Sequence, residues 1–193
     1  MTTTRHDVER FESIFEVHHR RVFGYALRRT ASVPDAEDVV SETFAIACRR
    51  VADLPPIDRA LPWLLAVARL VAANQNRSAR RWRGLLDRLH SEPRPRPMPA
   101  AETPASEALS RLGSDDQELL RLLAWDELSQ AEAGEVLGIS ANAVAIRMHR
   151  ARRRFAAELS SIESDEMKGS TDSWTPMSVK GRLPGRSPRE QAP

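Results

Sequence analysis

Five arginines fall at positions 147, 150, 152, 153 and 154, and no acidic residue is interleaved with them. Guanidinium groups this close repel one another unless an anion lies against them. A run of phosphates supplies that anion, and Arg also matches the acceptor pair on a guanine edge. The same stretch carries Asn142, Ala145, Ile146 and His149. At helical spacing Val144, Met148, Ala151 and Phe155 take one face. The opposite face then presents Asn142, Ala145, Ile146, His149 and Arg153, with Arg147, Arg150 and Arg154 beside it. An isoleucine off the core face of so charged a helix suits contact with a thymine methyl. The competing assignment is a solvated charged helix whose arginines are satisfied by Glu158 and the tail.

A second basic stretch, Asn74-Gln75-Asn76-Arg77-Ser78-Ala79-Arg80-Arg81-Trp82-Arg83, also lacks any acid. Amides, guanidiniums and an aromatic ring together are what holds a nucleic-acid strand by backbone and by stacking. Between the termini and this stretch lies an acidic patch at Glu37, Asp38 and Glu42. Position alone makes these acids complements of a helix dipole.

The elements that position these groups are helical throughout. Phe11, Ile14, Phe15, His18, Val22, Tyr25 and Ala26 follow i, i+3, i+4 spacing and predict a first helix. Ser32 and Asp35, with Pro34, predict a reciprocal cap opening a second. Its buried face is Ala36, Val39, Val40, Thr43, Phe44 and Ala47, and Leu54-Pro55-Pro56 ends it. A third helix begins near Pro62 with Trp63, Val67 and Val71 on one side. After about Leu89 a Pro-rich segment, SEPRPRPMPAAETPA, predicts an extended linker and so two separate cores.

Beyond it, Thr103-Pro104 opens a helix bearing Leu109 and Leu112, and Ser114 with Gln117 predicts a cap for the next. Ser129 with Glu132 caps a short helix from Gln130 to Leu137. Gly138 supplies a left-handed turn, and Ser140 caps a last helix running to about Leu159. A short capped helix, a tight turn and a longer arginine-rich helix form a helix-turn-helix. The fold class expected is therefore all-α: two small helical domains joined by a Pro-rich linker. The second holds the helix-turn-helix and is followed by a disordered tail rich in Ser, Pro and charge.

Composition removes other classes. The 193 residues carry a net charge of only +2, so the local Arg clusters and not the total charge matter. A single cysteine, Cys48, builds neither a disulfide framework nor a cysteine-rich zinc site. With Phe44, Ala47 and Val51 it reads as a buried, inert thiol in a helix wall. His18, His19 and His90 lack the partners of a metal site, so neither metal nor cofactor is expected. No nucleophile–base–orienter set is apparent, and an enzyme is not expected. The N-terminal MTTTRHDVERFESIF has no signal-peptide core, and no apolar run reaches a membrane span. The expected location is the cytoplasm, without membrane insertion.

DAEDVVSETFAIACRRV, then LPWLLAVARLVAANQNRSARRWR, then the linker and helix-turn-helix, together resemble the extracytoplasmic-function group of sigma-70-type factors. The resemblance covers about residues 8 to 160. It implies a region 2-like domain over 8–89, a linker over 90–104, a region 4-like domain over 105–160 and a tail over 161–193. It implies that Asp38, Ser41 and Glu42 grip the clamp helices of the largest subunit of the RNA polymerase core. Ser41 stands where the family commonly has Gln.

Leu70, Asn74, Gln75, Arg77, Arg80, Arg81 and Arg83 would handle the opened −10 strand of promoter DNA, with Leu70 and Asn74 replacing the family's usual Asn and Asp. The loop from Asp53 to Pro62 would shape a pocket for an unstacked base. Asn142, Ala145, Ile146, Arg147, His149, Arg150 and Arg153 would read the −35 element. An anti-sigma factor is a further implied partner. The residues leave open a two-domain regulator that binds operator DNA without polymerase, and an adaptor with no DNA role.

Overall fold

The computed structural model describes residues 4–86 and 103–171, which among themselves form helices and connecting turns only. Helix α1 spans Arg5–Leu27, α2 Val33–Arg49 and α3 Ala60–Leu86, with two short 3-10 turns at Val51–Asp53 and Ile57–Arg59 between the last two. The second half contributes α4 (Pro104–Arg111), α5 (Ser114–Ala124), α6 (Gln130–Leu137) and α7 (Ala141–Thr171). The linker, but for its last two residues, and the chain from residue 172 lie outside the described residues, so the expectations for them stay as stated.

Local chemistry accounts for most helix starts. Thr4 and Asp7 cap α1 reciprocally. At α2 the expected reciprocal cap reduces to one direction: the Ser32 hydroxyl accepts from the Asp35 amide at 3.2 Å. The Asp35 carboxylate then accepts a hydrogen bond from the Ser32 hydroxyl, at 2.7 Å, and none from the Ser32 amide. Thr103 caps α4 with Pro104 just inside the helix. The cap expected at Ser114 is displaced, since Gly113 occupies that position. Gln117 instead reaches back to the carbonyls of Leu112 and Ser110, at 2.8 and 3.2 Å.

Two further expectations are corrected, those for Cys48 and for the end of the last helix, and the packed side of α3 is widened. On α3 the buried face is Leu61, Leu64, Leu65, Ala68 and Ala72. Trp63 and Val71 pack only along its margin, because the wall α3 faces is formed by α1, α2 and α6 together. Cys48 is exposed, one step round α2 from buried Ala47. The last helix does not stop near Leu159 but runs to Thr171, with Ile162 buried, so the first residues of the expected tail are helical.

The largest departure concerns the core. Instead of two separate cores, one buried cluster runs from Ile14, Tyr25 and Leu64 of the first half into Leu119, Leu122, Val136 and Val144 of the second. Helix α6 packs on α3. A charged knot closes the same seam. The Arg29 guanidinium bonds Glu118 at 2.8 Å and Asp126 at 2.9 Å, with Arg29 and Asp126 side chains only 6% and 3% exposed. Arg28 pairs with the other Asp126 oxygen, and Arg21 donates to the Asp126 carbonyl at 2.6 Å.

Tyr25 donates its hydroxyl to Glu118 at 3.0 Å, under the Arg29 guanidinium. Burial, then the Glu118 carboxylate, push the Tyr25 phenol far above its ordinary range. Burial alone would lower the Arg29 pKa, but Tyr25, Glu118 and Asp126 outweigh it. A Pro-rich stretch of sequence predicts only its own local backbone. It does not say whether the bodies on either side touch.

Candidate nucleic-acid interface

The helix-turn-helix forms as its sequence implies. The Ser129 hydroxyl accepts from the Glu132 amide, and the Glu132 carboxylate receives the Ser129 amide at 2.8 Å. That bond set holds the Glu132 carboxyl below its usual range, first through the Ser129 hydroxyl and then its backbone. A lowered folded pKa stabilises the fold above the unfolded value and is lost as pH falls through the folded one. Ser129→Ala should therefore cost about 1 kcal/mol at neutral pH. The gap between variant and parent in thermal melts should shrink under acid; a gap independent of pH would remove the carboxylate from the cap.

Gly138 adopts φ 69°, and the Ile139 amide returns to the Gly134 carbonyl at 2.9 Å. Ser140 then caps α7 through the Ala143 amide at 3.2 Å. Sequence reasoning passed over Gly134. A Cβ there would lie 2.6 Å from the Ile139 carbonyl oxygen, so the residue lets the turn lie against α6. The available signal was a glycine in the interior of an eight-residue helix, where alanine is otherwise preferred.

On α7, Val144 and Ala151 are fully buried, with Met148 and Phe155 half-buried beside them. Asn142, His149 and Arg153 are exposed, as is 47% of Ile146, and they share one outward face. Ala145 is only half-buried, on the flank of that face. Arg147 and Arg150 are exposed on the opposite flank and turn toward a cleft lined also by Arg69, Asp115, Asp116 and Leu137. Arg154 pairs with Asp116 at 2.6 Å, while Glu158 engages Arg111. Among the described residues Arg147, Arg150, Arg152 and Arg153 form no ion pair, and Glu158 engages Arg111 and not them.

The other candidate residues meet in a groove of about 810 Å³ between α2 and α3. Asp38, Ser41 and Glu42 line it from α2, and Leu70, Asn74, Gln75 and Arg77 from α3. Two sets taken separately from the sequence thus share one surface. Leu70 is 66% exposed, an apolar side chain standing open among polar ones. The Gln75 Oε1 is buried without a hydrogen-bond partner. Glu42 is bonded to Arg49 at 3.0 Å, which leaves Asp38 the freer carboxylate. Arg81 is exposed and bonds Ser78 at 3.2 Å. The side chains of Arg80, Trp82 and Arg83 lie outside the described residues. Asn76 turns the other way and donates to the Arg29 carbonyl at 3.2 Å, joining α3 to the end of α1.

Among the described residues no helix is long and apolar enough to cross a membrane. Comparison with known proteins gives these surfaces a family. The Sigma-70 region 2 model matches residues 14–82, and the Sigma-70, region 4 model matches residues 104–155. The chain is 30% identical over 162 residues to RNA polymerase sigma factor CarQ of Myxococcus xanthus, covering 79% of this chain and 91% of CarQ.

It is 27% identical over 158 residues to ECF RNA polymerase sigma factor SigL of Mycobacterium tuberculosis, covering 78% and 89% of the two chains. Its similarity to CnrH of Cupriavidus metallidurans is 30% over 152 residues, covering 68% of this chain and 78% of CnrH. The structure of CnrH in complex with the cytosolic domain of CnrY superposes with a TM-score of 0.57 at 27% identity, covering 78% of this chain and 88% of that one. With both sigma-70 regions matched in order along one chain, and with these relatives, the chain is an RNA polymerase sigma factor belonging to the extracytoplasmic-function group of the sigma-70 family.

Proposed function

We propose that this factor acts in the cytoplasm, catalyses nothing itself, and lends its polymerase two DNA contacts. In this reading Asp38, Ser41 and Glu42 meet the clamp helices of the largest subunit. Leu70, Asn74, Gln75 and Arg77, with Arg80, Arg81 and Arg83 further along α3, hold the opened −10 strand. The outward face of α7, with Asn142, Ala145, Ile146, His149 and Arg153 flanked by Arg147 and Arg150, reads the −35 element. The observation that carries the reading is the unpaired arginine surface of α7, set behind a capped turn and bearing an exposed isoleucine.

The domain limits 8–89 and 105–160, joined by the linker 90–104, suit two bodies that part on the polymerase. Elements about 25 base pairs apart lie roughly 85 Å apart along B-DNA, whereas α1 and the turn after α5 are held at hydrogen-bond distance here. The closed arrangement is thus the free factor, and the polymerase sets the open one. An anti-sigma partner that covered these faces would keep the factor idle, and the similar CnrH is found in complex with the cytosolic domain of CnrY.

Purified factor added to core polymerase should start transcription at a promoter bearing its −35 and −10 elements, and not at one with either scrambled. Tight operator binding without core would instead establish a free-standing regulator. Co-elution with core but no initiation would establish an adaptor. Arg147→Ala or Arg150→Ala should weaken holoenzyme binding several-fold and flatten its salt dependence by about one phosphate contact each. An unchanged slope in a salt titration would remove those arginines from the backbone contact.

A further inference from the structure

The loop between α2 and α3 makes few hydrogen bonds of its own. Its internal set includes Asp53 amide to Arg50 carbonyl, Leu54 amide to Val51 carbonyl and Arg59 amide to Pro56 carbonyl. Pro55 and Pro56 have no amide proton to add. The Ala60 amide adds a bond to the Ile57 carbonyl, and side chains of α1 tie the loop down from outside. Arg10 forks across it, donating to the Leu54 carbonyl and, at 3.4 Å, to the Val51 carbonyl. His18, buried at 7% exposure, holds the Ile57 carbonyl at 2.7 Å through Nε2. A carbonyl only accepts, so the imidazole carries its proton on Nε2 or on both nitrogens. The Nδ1 has no partner.

Arg10 and His18 stand eight residues apart, about two turns and 12 Å along α1. They therefore hold one 3-10 turn and the proline corner at one end and the second turn at the other. At and beside the His18 anchor the loop offers exposed side chains, Ile57 and Asp58, to the surface. Leu54 is buried and Val51 packs partly against the core, and the two anchor the first end of the span.

We propose that Arg10 and His18 are positioning residues for base selection at the −10 element. They touch no DNA, and act by fixing the loop that receives the unstacked base. This rests on the reading, carried by the family resemblance, that the loop of residues 53–62 forms that pocket. A pocket discriminates one base from another only if its wall holds to within about half an ångström. A loop with two prolines and few internal bonds does not hold that tolerance unaided. The Arg10 fork and the buried His18 donor supply it from a rigid helix.

The test uses holoenzyme on a promoter set randomised at the −10 element and, separately, at the −35 element. Arg10→Ala and His18→Leu should reduce the preference for the favoured −10 base roughly tenfold, leaving −35 preference and affinity for core unchanged. His18→Gln, which keeps a donor, should restore most of that preference. Arg10→Lys, whose donors share one nitrogen and lack the rigid fork of a guanidinium, should restore less. Arg10→Lys and His18→Gln also serve as the informative pair if either larger change prevents folding.

Ile57→Ala and Asp58→Ala, placed in the loop itself, separate the two levels of the argument. If they leave −10 preference intact, the loop does not read the base, and the proposal falls with that reading. If they change it while Arg10→Ala and His18→Leu do not, the reading stands and the positioning role is overturned. A uniform loss of transcription across all −10 sequences, with the ratio between bases unchanged, also overturns it.

Discussion

Asp126→Ala should lower stability by about 3 kcal/mol, the low end for breaking a buried ion pair. The low end applies because Arg29 keeps Glu118 and because Arg28 is about one-third exposed. In a chain of this size that is a fall in melting temperature of roughly 6–12 °C. The cause is the charge left behind. With the carboxylate gone, Arg29 remains buried with one partner fewer, and the Arg28 Nε is already buried without one. The backbone around Asp126 is also committed to this geometry, since Glu127 adopts φ 54°, a left-handed conformation costly for a residue with a Cβ.

The lost energy belongs to the seam between the halves, so much of it should appear as opening before unfolding. About 3 kcal/mol moves an open–closed ratio by about a hundredfold. Small-angle scattering should show the variant expanding, and hydrogen exchange should show lost protection at the end of α1. Cys48, exposed and the only cysteine, gives a ready label in the first half for a distance measurement. A variant that melts, scatters and exchanges like the parent would show that the charged knot does not hold the halves together.

Gly134→Ala should be the most damaging small change in the helix-turn-helix. The added methyl carbon would sit 2.6 Å from the Ile139 carbonyl oxygen, a backbone atom that cannot rotate away. Overpacking of this kind costs roughly 1–3 kcal/mol. The effect on DNA binding should be larger than the effect on stability, because relief of the clash tilts α7 against α6. We expect at least a tenfold loss of −35-dependent transcription.

Gly138→Ala is the informative comparison. Its φ of 69° penalises a side chain by about 1–2 kcal/mol, but nothing lies within 4 Å of the added carbon. It should therefore lower the melting temperature yet bind DNA close to normally once folded. If Gly138→Ala proved the more harmful to −35 recognition, backbone conformation and not close approach would set the angle of α7.

These two positions mark how far the sequence could be read. Gly138 was legible because a glycine just past a short capped helix has a known purpose, as had the Ser129–Glu132 cap, the core face of α7 and its outward arginines. All of these depend on residues within a few positions of one another. Gly134 was not legible in that way. Its reason is the Ile139 carbonyl, which approaches only once the turn is closed.

The same division holds for the candidate sites. The sequence placed Asp38 and Glu42 on the outer face of one helix, with Ser41 added by the family resemblance, and Asn74, Gln75 and Arg77 on another. Only packing of α2 on α3 put them in one groove. Tyr25 could be assigned to a core from its spacing, but that it lies under Arg29 and bonds Glu118, a residue 93 positions away, could not. Nor could spacing reveal that Arg10 and His18 hold loop carbonyls 39 to 44 residues distant.

By itself, then, the sequence determined the helices, the caps at Thr103, Ser129 and Ser140, the helix-turn-helix and the kind of partner its arginines require. These follow from side-chain period and from bonds between near neighbours. The tertiary structure decided which surfaces share a groove, which charges are buried together and how the halves meet. Those outcomes depend on which distant groups can satisfy one another once water is removed, and no local pattern records that.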